Sequence, residues 1–75
     1  MSSAEPDLEL IELSCTVEAL KDEAALLDCG LSRRWVAWAT IRSSHAAVRR
    51  AHRAGRATRV KMKLIDAKLL MMVAL

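Results

Sequence analysis

The stretch LIELSCTVEALKDEAALLD, residues 10–28, decides the fold. Its apolar residues Leu10, Leu13, Val17, Leu20, Ala24 and Leu27 step by 3, 4, 3, 4 and 3. On an α-helix that spacing draws one apolar stripe of the coiled-coil kind. A second, weaker strip carries Leu8, Ile11, Cys15 and Leu26. A helix with two apolar faces needs two partners. A following helix folded back through a tight turn covers one, and a second copy of the chain covers the other. The seam therefore predicts a helical hairpin that dimerises into a four-helix bundle.

Working outward, Gly30 and Gly55 stand where helices end in a left-handed residue, and Ser32 and Thr58 are good caps for the helices expected after them. Pro6 falls in a first helical turn, where its missing N–H is harmless. The expected fold is a single all-α domain over residues 1–75, with helices at about 6–28, 32–54 and 58–73 and disorder in the first few residues. Val60-Lys61-Met62-Lys63-Leu64 alternates like a strand, but a lone strand would have no partner, so it is assigned to the short third helix.

Composition points the same way. The chain has 75 residues and no Phe or Tyr, and Gly and Pro number two and one. Leu, Ala, Val and Met suit packed helices, and so few turn formers argue against a small β domain. A chain this short has a marginal core of its own without disulfides, a metal or a partner subunit. Cys15 and Cys29, 14 positions apart, would lie about 21 Å apart on one helix and are expected to be buried free thiols in a reducing compartment. No metal site, cofactor or small-molecule substrate is expected, and the acidic, polar start is no secretory signal. The apolar tail, Leu69 to Leu75, is too short to span a bilayer, so a membrane role is disfavoured and a cytoplasmic protein expected.

The net charge of +3 conceals a division. Residues 1–30 carry eight acidic side chains against Lys21, whereas residues 31–75 carry eleven basic ones against Asp66. Such asymmetry points to a polyanion partner, or else to one half of the chain pairing with the other. On the expected second helix, Val36, Ala37, Thr40, Ser44, Ala47, Val48, Ala51 and Ala54 share one side. Arg34, Trp38, Arg42, His45, Arg49, His52 and Arg56 share the other, flanked by Trp35 and Arg53. That row would run about 33 Å and place like charges one turn apart, which is tolerable if phosphates lie along it. The two tryptophans would either plug the end of the dimer contact or lie over a sugar edge. Asn and Gln, the common readers of base edges, are absent. A long basic face without base readers suits double-stranded RNA, which is recognised mostly by shape. No nucleophile with a base, phosphate loop or zinc motif is present, so enzyme function is not expected.

A long first helix, a tight turn, the pair Arg33-Arg34 opening a long basic second helix, and a short third helix resemble the small RNA-silencing suppressor of nodaviruses. The resemblance implies a viral RNA-binding protein in the host-cell cytoplasm, an antiparallel dimer laying its second helices along double-stranded RNA. It would shield long duplexes from dicing and small interfering RNA from loading. Carried over by position, Arg34, Arg42, His45, Arg49, His52 and Arg53 would touch the backbone. Two other classes compete. Cys29-Gly30-Leu31-Ser32-Arg33-Arg34-Trp35-Val36 resembles the turn of a DNA-binding helix-turn-helix, and the heptad seam would also serve a helical adaptor or co-chaperone.

Overall fold

A computed structural model of the chain describes residues 9–71. The all-α expectation is overturned. Where the first helix was expected stand two strands, β1 (Leu10–Leu20) and β2 (Ala24–Asp28). Where the second was expected stand β3 (Arg33–Ala37), a single 3-10 turn (Trp38–Thr40) and a helix, α1, confined to His45–Ala54. The third region is β4 (Thr58–Lys63) running directly into α2 (Leu64–Met71). Pro6 and Leu8, and the expected helical end at Met72 and Val73, lie outside the described residues.

The strands form one antiparallel sheet in the order β3-β2-β1-β4. Its logic lies in Ile11 to Glu18. Ile11, Leu13, Cys15 and Val17 alternate with Glu12, Ser14, Thr16 and Glu18, and in the structure the first set is buried or half-buried and the second exposed. A period of two gives a strand one apolar and one polar face. The strand-like alternation at Val60 to Lys63 does have a partner: β4 pairs with β1 from Leu10↔Lys63 to Cys15↔Thr58, setting Val60 beside Leu13 and Met62 beside Ile11. Lys21 donates its N–H to the Ala24 carbonyl at 2.9 Å, closing a tight turn over Asp22 and Glu23 without glycine. The register slips once, between Val17 and Ala19, a bulge of the kind that bends a strand and increases its twist.

Both helices lie on the apolar face. Val48 and Ala51 of α1, and Ala67 and Leu70 of α2, join Cys15, Val17, Leu27, Val36, Val60 and Met62 in one core. The expected seam is thus divided. Leu13, Val17, Leu20 and Leu27 turn toward the helices, and Leu10 and Ala24 lie on the opposite face by register. Consumed inside one chain, it leaves no stripe for a four-helix bundle, and that expectation is withdrawn. The opposite face is charged, with ion pairs between Arg33 and Glu18 at 4.0 Å and between Arg59 and Glu12 at 3.8 Å. Both pairs are solvent-exposed and contribute about 0–1 kcal/mol each.

The cysteines are also corrected. Thr16 pairs with Asp28, so Cys15 and Cys29 are the next cross-strand neighbours, and they form a disulfide. The 21 Å separation belonged to a helix that is not there. Disulfides persist in oxidising compartments, so the bridge lends no support to the expected reducing cytoplasm. No helix among the described residues is long and apolar enough to cross a membrane.

Candidate nucleic-acid interface

α1 forms where the sequence permits a capped helix. Ser44 accepts the Ala47 N–H on its hydroxyl at 3.1 Å, satisfying one of the free donors of the first turn. At the other end Gly55 adopts φ 66° and gives its N–H to the His52 carbonyl at 3.2 Å, while Arg56 gives its own to Ala51 at 3.1 Å. This pair of bonds is the Schellman ending, and Gly55 does close a helix as its position suggested.

Between the caps the helix buries Val48 and Ala51. At 100° per residue, Arg49, Arg50 and Arg53 then point away from the sheet, and all three are exposed. No acidic residue occurs between Arg33 and Arg59. Among the described residues the ion pairs engage only Arg33 and Arg59, both on the far side of the sheet. Arg49 is held in place, its guanidinium carbon 4.5 Å from the centroid of the Trp38 ring. Arg50 and Arg56 line an open cavity of about 330 Å³ with Ala47, Ala51, Ala57 and Thr58, where α1 turns into β4. Two guanidiniums facing one cavity can take an anionic oxygen group bidentately.

The expected ladder is therefore broken. Arg34 lies on β3, remote in register from α1, and borders a different cavity together with Asp66. Trp38 is buried and cannot lie over a sugar; its indole N–H donates to the Lys21 carbonyl at 3.0 Å. His45 is structural, its ring Nε2–H donating to the Ile41 carbonyl at 2.9 Å and its ring centroid 5.1 Å from that of Trp38. His52 is half-buried on the flank of α1. Arg42 precedes the helix, exposed, its backbone N–H bound to the Lys61 carbonyl at 2.7 Å. What the fold gathers is Arg49, Arg50 and Arg53 on the helix, with Arg42 and Arg56 at its two ends.

Arg50 escapes the sequence reading because the inward face drawn there ran from Val36 to Ala54 and was centred closer to Arg50. With only Val48 and Ala51 of that face buried on α1, Arg50 falls opposite. Among the described residues no group of three or more His, Cys, Asp or Glu is placed to hold a metal ion. Among the described residues there is no helix as long as those that carried the resemblance to the nodavirus suppressor, and β3 occupies the stretch that resembled a helix-turn-helix. Comparison with protein-family models, with curated proteins and with solved structures gave no match.

Proposed function

We propose that the protein binds nucleic acid through its phosphates, without reading sequence, using the exposed face of α1. The observation that carries this reading is the set Arg49, Arg50 and Arg53, presented on a helix fixed to the core, with no acidic neighbour along it. Such a face draws in a polyanion because each neutralised phosphate releases condensed counterions. The absence of Asn and Gln removes the side chains that pair bidentately with adenine. Double-stranded RNA, recognised by shape and backbone, is the preferred partner on this reading. Ten residues of helix span about 15 Å, however, and a B-form duplex carries roughly nine phosphate charges over that length. One chain thus shields a much shorter stretch than the 33 Å ladder would have.

The test is fluorescence anisotropy with labelled duplex RNA, duplex DNA and single-stranded RNA of matched length, titrated at several salt concentrations. Binding that is indifferent to base sequence and falls log-linearly with salt is expected. Replacing Arg49, Arg50 and Arg53 together by Ala should reduce the salt slope by about two to three while far-UV circular dichroism is unchanged. Equal binding by the triple variant, or none to any nucleic acid at low salt, overturns the proposal.

A further inference from the structure

The two outer edges of the sheet are not alike. On β4, the central residue Lys61 turns its peptide groups outward, and both are taken: its carbonyl accepts the Arg42 N–H at 2.7 Å, and its N–H donates to Ser43 Oγ at 3.1 Å. Arg59, Lys61 and Lys63 add three like charges along that strand, a usual guard against edge pairing.

β3 has no such plug. Trp38 donates its N–H to the Glu23 carbonyl at 3.1 Å, which sets the alternation of the ladder. Val36 and Arg34 then turn their peptide groups toward β2, and Arg33, Trp35 and Ala37 turn theirs outward. Among the described residues no hydrogen bond reaches those outward groups. Beside the edge, Trp35 is 46% exposed and Leu69 is 51% exposed. A cavity of about 430 Å³ runs between β3 and α2, with Arg34, Val36, Asp66 and Leu69 in its walls. Among the described residues neither Arg34 nor Asp66 makes an ion pair.

We infer that β3 is a self-association edge, on which a second copy of the chain pairs antiparallel about a two-fold axis at Trp35, independently of the nucleic-acid face. The register follows from the alternation, because only the outward-facing residues 33, 35 and 37 can exchange hydrogen bonds across the edge. Centred on Trp35, the pairing sets Arg33 against Ala37 of the other copy and Arg34 against Val36, so no two cations of the strand stand directly opposite. It lays one Trp35 beside the other, an aromatic cross-strand pair at the axis. A two-fold contact must be self-complementary. The cavity supplies this, because Arg34 crosses the axis toward the wall that holds the other copy's Asp66. The second copy fits where an unrelated strand would have to match the cation, the anion and the apolar wall separately.

Sedimentation equilibrium of the whole chain over a wide concentration range tests the inference. A reversible monomer–dimer equilibrium is expected. Ala37 has φ −59°, already suited to proline, and its N–H faces outward, so Ala37→Pro blocks the edge while leaving the internal ladder intact. Ala37→Pro and Trp35→Lys should each weaken self-association by about tenfold or more, the loss of about 1.4 kcal/mol. As a control for misfolding, Arg34→Asp should also weaken it, and Arg34→Asp with Asp66→Arg should restore it. A monomer at every concentration, a dimer that ignores Ala37→Pro and Trp35→Lys, or no rescue by the charge exchange each overturns the inference. A monomer that binds an extended peptide at β3 assigns the edge to another protein and overturns it equally. None of these results depends on whether the arginines of α1 bind nucleic acid.

Discussion

Cys15 and Cys29 are bonded across β1 and β2 with their Cα atoms 4.3 Å apart, directly beyond the Thr16↔Asp28 pair. The bridge closes a loop that contains all the β1–β2 pairs, from Thr16↔Asp28 to Leu20↔Ala25. In a chain of 75 residues this is a large fraction of what holds the sheet together. Loop-closure entropy for a separation of this length gives about 3 kcal/mol of stabilisation. Urea denaturation with and without reductant, and of the variant Cys15→Ala with Cys29→Ala, should show that loss as a lower midpoint in both cases. Coincident curves would mean that the thiols are free in solution, as a helical hairpin required.

Leu26 and Leu27 separate the two folds cleanly. Both belong to apolar strips on a helix, but on β2 they face opposite ways, Leu27 fully buried and Leu26 half-buried on the charged face. Leu27→Ala should cost about 2–5 kcal/mol, as a large-to-small change in a packed core does. Leu26→Ala should cost well under half as much. Thermal or urea melts of the two variants read this directly, and similar losses would contradict the sheet.

The same pair shows why the fold was only partly legible. A strand and a helix can both be drawn through residues 10–28, since steps of three and four pass through Leu10, Leu13 and Val17 while steps of two pass through Ile11, Leu13, Cys15 and Val17. The deciding signal was the polar half of the alternation, Glu12, Ser14, Thr16 and Glu18, which a coiled-coil stripe does not require. The alternation at Val60 to Lys63 was visible too, but its partner β1 lies at the far end of the sequence, and long-range pairing is what a local pattern cannot display. By contrast, Gly55 and the cluster Arg49 and Arg53 were readable, because caps and helix faces are set by neighbours within one turn. Arg34 and Trp38 were misassigned to that face as a consequence of one extended helix, not through any ambiguity of their own.

Gly30 and Gly55 offer a test of backbone conformation alone. Gly30 has φ 102°, Gly55 has φ 66°, and an added methyl group would meet nothing within 4 Å at either site. The cost of Ala is therefore backbone strain and not collision. At Gly55, in the left-handed helical region, Gly55→Ala should cost about 1–2 kcal/mol, and Gly55→Asn less, because Asn tolerates that region. Gly30→Ala should cost more than Gly55→Ala, since φ 102° lies outside the left-handed helical well. Equal losses at the two sites, measured by thermal melts, would contradict the assigned turn.

Arg49 and Trp38 link the core to the proposed binding face. The indole is fixed by its hydrogen bond to Lys21 and by His45 leaning against it, so the guanidinium stacked on its ring is held before any ligand arrives. A double-mutant cycle of Trp38→Leu and Arg49→Ala in urea denaturation should return a coupling of about 0.5–1 kcal/mol, the value of a partly exposed cation–π contact. With Trp35→Phe in the background, Trp38 is the sole indole among the described residues, and its emission should change when duplex RNA engages Arg49. A zero coupling would free Arg49 from its anchor. A coupling with no change in emission would leave the anchor intact but move the nucleic acid off this end of the helix, toward Arg50, Arg53 and Arg56.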